Sequence, residues 1–388
     1  MSSFHNNSKP DIPKSAFGDV RVVSPEASIL IHFPYNYNTE LLTDGSSGSG
    51  SSSVSDQHLV ISSGAASSSV GLTESKETLN YNPGLGASVR FAGYYTSGVA
   101  GNTQLIGIGD SSDGFFIGFN GTDFSILRRN GGSDTWVSQD NFNKDLLDGS
   151  GNSKMVLDPT KGNVYEIQYQ WLGYGAIQFC IENPNTGKFI PFHTIQYANN
   201  ATEPSIENPS LPFRIESNND SNTTDITTRI SSAGAYVEGR SHLVGQLTNC
   251  INNTKTITTE TNILTIQNKA LYASVSNRVP VNPFNIALNN SGTKDTTFKL
   301  YLNTTLGGSP SYTDIEATNS VVSYDTAGTT ITGGKLLTAI IVQKNTTLLI
   351  DLMPWNISLK PTDILTISAE SSQSNDASVS ISWKEQFD

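Results

Sequence analysis

Charged residues are scarce in this 388-residue chain, at 15% of the sequence. The 23 Lys and Arg are outnumbered by 35 Asp and Glu, so the formal net charge is -12. The basic residues are scattered, and no cluster could neutralise successive phosphates. This distribution disfavours nucleic-acid binding.

Long apolar runs are also absent. No stretch of about 18 apolar residues could cross a bilayer, so the sequence predicts no membrane insertion. The opening residues, MSSFHNNSKPDIPKSAFGD, lack the apolar core of a signal peptide. We therefore expect no signal-dependent export, and release of an assembled particle by lysis would reconcile this with the low-charge, Asn-rich composition.

Cysteine is nearly absent, because only Cys180 and Cys250 occur. A disulfide between them stays open, since sequence does not show proximity, and two buried free thiols are the simpler interpretation. No cofactor is expected from the sequence.

Catalytic motifs are missing as well. The five histidines do not have the two- to four-residue spacing of a metal site, and no G-x-S-x-G elbow joins a strand to a helix. Two carboxylate pairs, Asp110 with Asp113 and Glu166 with Glu182, could serve a glycosidase. A polar loop and a solvated strand face explain them equally well, so the sequence predicts that this chain is not an enzyme.

The residues that are abundant indicate β-structure. Ser, Thr and Asn suit turns, while Thr and the aromatics suit strands. NVYEIQYQW places Tyr165, Ile167, Tyr169 and Trp171 on one face, and Asn120-Gly121 is a hairpin signal. The sequence predicts an all-β chain with two antiparallel β-sandwich, jelly-roll-like domains.

The domain boundaries follow from changes in composition. Residues 1–26 carry three prolines and predict an extended N-terminal arm. Residues 27–240 predict a large jelly-roll or concanavalin-like sandwich, 241–262 a linker, and 263–388 a smaller C-terminal sandwich. Within the large sandwich, the Gly/Ser tract at 44–56 predicts a flexible loop.

Two kinds of binding site are candidates. Asp110 and Asp113 could contribute oxygens to calcium, although the surrounding sequence does not match an EF-hand. Exposed aromatic rings could stack on sugars, as amphipathic rings do in binding sites, although aromatics in a sandwich more often belong to the core. The candidates for stacking are Tyr94, Tyr95, Trp136 and Tyr174.

Several stretches resemble virion structural proteins of tailed phages and of large DNA viruses. They are Ala16–Val22, Ser75–Arg129, Leu147–Phe189 and Asn208–Ile215. The resemblance implies a capsid-surface, fibre, decoration or tail-associated component that is commonly trimeric, without catalytic residues.

The combined prediction is a non-enzymatic virion protein exposed on the particle surface after assembly in the host cell. Its arm, with Phe17 and Arg21, would anchor it to other capsid or tail proteins, and its sheet edges would pair in a homo-oligomer, with a trimer favoured. The alternative is a carbohydrate-binding adhesin for host attachment, and a glycan-degrading enzyme is a third hypothesis.

Overall fold

The computed structural model describes residues 25–79, 81, 84–238, 247–277, 279–355 and 357–387. Its regular structure is almost entirely β-strand, with 3-10 turns at Gln139–Asn141 and Met353–Trp355. The all-β prediction is therefore confirmed. Over the described residues, no helix has the length and apolarity to cross a membrane. Phe17 and Arg21 lie outside the described ranges.

The chain divides into two compact units, Met1–Ser241 and His242–Asp388. The described strands of the first unit are β1 (Pro25–His32), β2 (Leu42–Asp44), β3 (Ser51–Ser55), β4 (His58–Ser62), β5 (Val70–Leu79), β6 (Ala87–Tyr95), β7 (Asn102–Gly109), β8 (Gly114–Asn120), β9 (Asp123–Asn130), β10 (Ser133–Ser138), β11 (Asn163–Tyr169), β12 (Ile177–Asn183), β13 (Lys188–Ile195), β14 (Leu211–Asn219) and β15 (Thr227–Glu238).

These strands form two antiparallel sheets. As described, sheet 1 has eight strands in the order β13-β12-β11-β6-β15-β4-β3, with β1 also paired to β15. Sheet 2 has seven strands in the order β10-β9-β8-β7-β14-β5-β2. Ring contacts cross between the sheets, because Phe91 of β6 lies 6.0 Å from Phe213 of β14 and Phe115 of β8 lies 5.3 Å from Tyr169 of β11. The two sheets therefore share one aromatic core.

The predicted alternation along β11 is confirmed. Tyr165, Ile167 and Tyr169 are fully buried in the core, and Trp171 packs against its margin. The predicted hairpin is also confirmed, since Asn120 pairs with Asp123 and Gly121 has a φ of +61°. Glycine tolerates this left-handed conformation without strain.

Part of the predicted loop at 44–56 is a strand instead. Within the Gly/Ser tract, β3 pairs with β4 as an edge strand. The Ser52 hydroxyl donates to Asp44 Oδ1 at 3.1 Å and accepts from the Thr73 hydroxyl at 2.8 Å. Small hydroxyl side chains thus satisfy polar groups at a sheet edge, which composition alone does not reveal.

The second unit has strands β16 (Leu247–Ile257), β17 (Thr261–Asn268), β18 (Leu271–Tyr272), β19 (Val275–Ser276), β20 (Val281–Asn290), β21 (Thr296–Leu302), β22 (Thr305–Leu306), β23 (Thr313–Asp314), β24 (Val322–Asp325), β25 (Ile331–Thr332), β26 (Lys335–Val342), β27 (Thr346–Asp351), β28 (Ile364–Ser371) and β29 (Asn375–Glu385). As described, sheet 3 has the order β16-β29-β20-β27 and sheet 4 the order β23-β24-β17-β28-β21-β26. Two short ribbons pair β18 with β19 and β22 with β25.

The predicted linker at 241–262 is wrong over its described part. β16 pairs with β29 along its whole length, from Leu247 opposite Glu385 to Ile257 opposite Asn375. Because β16 is an edge strand, polar residues are tolerated along it, and its partner lies more than a hundred residues away. Residues 247–257 therefore belong to the core architecture of the second unit.

Candidate functional site

The outer face of sheet 1, opposite the core, holds a pocket of about 430 Å³. We call it the Arg90 pocket. Four neighbouring strands build it. Arg90 of β6 pairs with Glu166 on β11 and with Gly234 on β15, and Leu30 of β1 pairs with Gly234 from the other side. Its lining includes Leu30, His32, Arg90, Ser232, Gly234 and Tyr236.

Arg90 is held in place by a buried carboxylate. Its Nε donates to Glu166 Oε1 at 2.8 Å, and the side chain of Glu166 is only 2% exposed. The Gln168 amide donates to the other Glu166 oxygen. The charge-assisted bond to Glu166 fixes the orientation of the guanidinium, because Gln168 holds the carboxylate itself in place.

The same guanidinium remains open to solvent on its outer side. The Arg90 side chain is 42% exposed, and no hydrogen bond to its two terminal amino groups is found within the described part of the chain. Its Cζ lies 5.6 Å from the Phe189 ring centroid and 6.0 Å from that of Tyr236, so aromatic rings flank the cation.

Gly234 explains the position of the Tyr236 ring. A Cβ at position 234 would lie 2.5 Å from Tyr236 Oη, so the ring occupies the space above the glycine. The pocket thus joins an aromatic surface to a guanidinium with unpaired donors. This combination can hold a small ligand that has both an apolar face and hydrogen-bond acceptors.

The outer face of sheet 2 carries a contrasting arrangement, the Arg214 cluster. Arg214 of β14 binds Glu216 through Nε at 2.8 Å and through a terminal amino group at 2.6 Å, and its other amino group binds Glu74 of β5. The Arg214 side chain is 10% exposed. Both carboxylates therefore share one buried cation, and neither is a free acid or base.

An apolar patch adjoins the Arg214 cluster on sheet 2. Leu105, Phe116 and Leu127 are buried there although they face away from the main core, and Trp136 packs against them. Arg129 covers the Phe116 ring at 5.4 Å. These side chains close this face of the sheet.

The four predicted stacking residues do not form one site. Tyr95 is 1% exposed and its hydroxyl donates to the Ile117 carbonyl at 2.8 Å, so its ring lies in the core and the prediction is wrong for this residue. Tyr94 lies on the outer face of sheet 1, edge-on to His58 at 5.7 Å. Trp136 is half-buried on sheet 2, and Tyr174 is exposed in the loop between β11 and β12.

The predicted calcium ligands have different surroundings. Asp110 Oδ1 accepts the backbone N–H groups of Ser112 at 2.7 Å and of Asp113 at 2.8 Å, which is a turn role. Asp113 is fully buried. Within the described ranges, no group of three or more His, Cys, Asp or Glu residues is placed to hold a metal ion. Calcium binding stays a prediction.

The second predicted carboxylate pair lies on adjacent strands. Glu166 is bound to Arg90, and Glu182 is half-buried two residues from Cys180, the residue of β12 that pairs with Glu166. Cys180 is buried and Cys250 is exposed, and the two are not joined by a disulfide.

Arg90 and Tyr236 were not singled out by sequence reasoning. The signal was present, because Arg90 is a charged residue between Val89 and Phe91 in an otherwise apolar alternating strand. The partner carboxylate, Glu166, has the same position in its own strand, between Tyr165 and Ile167. Only the pairing of β6 with β11 makes these two residues neighbours.

No family model and no curated protein matches this chain. Solved structures do match. A glycosyl hydrolase family protein from Mycobacterium fortuitum has 10% identity and a TM-score of 0.39, covering 54% of this chain and 99% of that one. A β-agarase A in complex with oligoagarose has 10% identity and a TM-score of 0.37, covering 55% and 92%. A lectin, UEA-II complexed with galactose, has 12% identity and a TM-score of 0.34, covering 55% and 100%.

These matches correct the prediction that the chain is not an enzyme. Structures named as a glycosyl hydrolase, an agarase and a β-1,3-glucanase are among those that it resembles. The prediction that the chain is not an enzyme is therefore not kept. Likeness at about 10% identity transfers no residue, substrate or activity to this chain.

Proposed function

We propose that this chain is a carbohydrate-binding protein that holds a sugar residue in the Arg90 pocket. One observation carries the proposal: the Arg90 guanidinium is fixed by buried Glu166 yet keeps its terminal amino groups unpaired among the described residues. It lies beside the Tyr236 ring.

The chemistry of a sugar fits this arrangement. A pyranose has a face of C–H groups, which packs on an aromatic ring, and an edge of hydroxyl oxygens, which accept bonds from planar donors. Tyr236 supplies the ring, and Arg90 supplies two amino groups in a fixed orientation. Leu30, which is exposed at the pocket margin, adds apolar contact area.

A glycan array followed by calorimetry with the glycans that bind tests the proposal. Tyr236→Ala and the double variant R90Q/E166Q should each weaken binding by about tenfold or more, equivalent to about 1.4 kcal/mol. The double variant removes both charges together, so no buried carboxylate is left unpaired.

Tyr174→Ala is the matched control, because this tyrosine is exposed and lies outside the pocket lining. Unchanged binding is expected for it. An array without any bound glycan, or equal affinities for all variants, would reject the Arg90 pocket as the site. Incubating the bound glycans with the protein and counting new reducing ends separates binding alone from cleavage.

The virion location, the trimer and the anchoring arm remain predictions from the sequence. No family model or curated protein supports them, and residues 1–24 lie outside the described ranges. Mass spectrometry of purified particles and sedimentation equilibrium of the isolated chain would test them. Glycan binding does not depend on either result.

A further inference from the structure

A buried carboxylate with an unused oxygen lies at one end of the first unit's core. Asp113 is 0% exposed and lies in the turn between β7 and β8. Its Oδ1 accepts the backbone N–H of Glu207 at 2.8 Å and of Gly131 at 3.4 Å. Its Oδ2 is buried and has no hydrogen-bond partner among the described residues.

Two further buried oxygens, on segments that adjoin Asp113, have no hydrogen-bond partner among the described residues. They are Oδ1 of Asn130 and Oγ of Ser205, and Ser205 is itself 0% exposed. Gly114 and Arg129 pair in the β8–β9 ladder, so Asp113 and Asn130 are the next residues along that ladder. The Asn130 amide also donates to the Pro204 carbonyl at 3.5 Å, which brings the loop containing Ser205 to the same end.

The two cations shown at this end of the core, Arg128 and Arg129, have other partners. Arg129 is paired with Asp134 at 2.8 Å, and Arg128 donates to the Ser205 carbonyl at 2.9 Å. No ion pair to Asp113 is found in the described ranges.

An ionised carboxylate that is buried without a counter-ion costs several kcal/mol. A buried water could donate hydrogen bonds to the unused oxygens, but it would leave the negative charge in place. A bound cation removes this cost and also gives all three unused oxygens a partner, which protonation of one carboxyl group would not do.

We infer that Asp113, Asn130 and Ser205 hold a calcium ion beneath the 204–207 loop. A carboxylate, an amide carbonyl and a hydroxyl are all oxygen donors, which suit a hard cation. Calcium accepts irregular sets of oxygen ligands, including backbone carbonyls and water, whereas magnesium demands near-octahedral geometry. Asp110, the other predicted ligand, is not part of this ligand set, because its Oδ1 already accepts two backbone N–H groups.

Calcium titration of the EGTA-treated full chain tests this inference. Calorimetry should show a site with a Kd of about 10⁻³ M or tighter, and the Tm should rise with calcium concentration by mass action. Magnesium at the same concentration should raise the Tm less. A Tm that is independent of calcium would overturn the inference and would fit a buried water.

Asp113→Asn removes the charge with little change of shape, and it should weaken calcium binding by about tenfold or more. Its Tm without calcium should equal or exceed that of the wild type, because the unpaired charge is gone. Asp123→Asn is the matched control, since Asp123 is exposed at the start of β9, and its calcium response should be unchanged.

If Asp113→Asn does not fold, the calcium affinity of Ser205→Ala tests the ligand set, because this variant loses only one hydroxyl group. A calcium affinity for Ser205→Ala that equals the wild-type affinity would overturn the proposed ligand set, as would an Asp113→Asn variant that binds calcium normally. The site lies apart from the Arg90 pocket, so failure here leaves the proposed function untouched.

Discussion

The two outer faces of the first unit use the same pair of chemical groups in opposite ways. On sheet 2, Arg214 is 10% exposed and is bound by both Glu74 and Glu216. On sheet 1, Arg90 is 42% exposed and is bound by Glu166 alone. The first arginine has its donors used within the protein, and the second has donors to spare.

This difference teaches how to separate a structural ion pair from one that can serve a ligand. A guanidinium shared by two carboxylates is neutralised and desolvated, so it contributes mainly to the cohesion of the sheet. A guanidinium fixed on one side only is already oriented, so a ligand loses little extra entropy when it binds there. The predictions below test this contrast between the two faces.

Arg214→Ala should have the largest effect. It leaves Glu74 and Glu216 without their shared cation, and removing one partner of a buried ion pair costs about 3 to 5 kcal/mol. Urea denaturation of the full chain measures the change in the free energy of unfolding. A loss below about 1 kcal/mol would mean that the cluster is solvated, and the contrast between the faces would fail.

Acid should destabilise sheet 1 through His193. Burial, together with the nearby charge of Lys144, lowers the pKa of His193 to about 4. Its Nδ1 accepts the backbone N–H of Asn143 at 3.3 Å, which requires the neutral ring. The folded-state pKa is depressed, so the stabilisation is present above the unfolded pKa of about 6.5 and is lost as the pH falls from 6.5 to 4.

The expected loss over this pH range is about 1 to 3 kcal/mol. His193→Gln should flatten the pH dependence of the free energy of unfolding between pH 4 and 6.5. His58→Gln is the control, because His58 is a half-buried residue at the start of β4. All described histidines in the first unit, His32, His58 and His193, lie on sheet 1. An unchanged pH profile in His193→Gln would show that carboxylates alone control acid sensitivity.

Arg90→Ala should cost less stability than Arg214→Ala, about 1 to 2 kcal/mol. The salt bridge is partly screened by solvent, and Gln168 still donates to Glu166. Adding Glu166→Gln should recover part of the loss, since it removes the unpaired charge. A cost equal to that of Arg214→Ala would show that the Arg90 pocket is as closed as the Arg214 cluster.

Trp136→Ala should have the smallest effect, about 1 kcal/mol, because only part of its ring packs against Leu105, Phe116 and Leu127. Glycan affinity should not change, in contrast to Tyr236→Ala. Loss of glycan binding in Trp136→Ala with the fold intact would move the site to sheet 2.

Strand periodicity predicted much of the architecture. In β11 and β29 every second residue is large and apolar, so the buried sets Tyr165, Ile167 and Tyr169, and Val379, Ile381 and Trp383, followed from local sequence. The same alternation places Tyr95 on the face of Val89 and Phe91. That pattern predicts a core position for Tyr95, and an aromatic side chain by itself does not indicate a surface site.

The candidate site depended on pairings that local sequence does not encode. Arg90 and Glu166 are 76 positions apart and meet only because β6 lies beside β11. The strand character of β16 likewise depends on β29. Non-local register is decided by the packing of the whole sandwich, so a single sequence without an alignment does not specify it.

The position of β29 within sheet 3 has a consequence for biosynthesis. This strand is hydrogen-bonded on both sides, to β16 and to β20, and it carries the buried Trp383 and Glu385. On the ribosome, the first unit has its complete set of described strands long before β29 emerges. Until then β16 and β20 lack the strand that pairs with both of them, so sheet 3 forms late and slowly. Short deletions within 375–385 should therefore be more damaging than their length suggests.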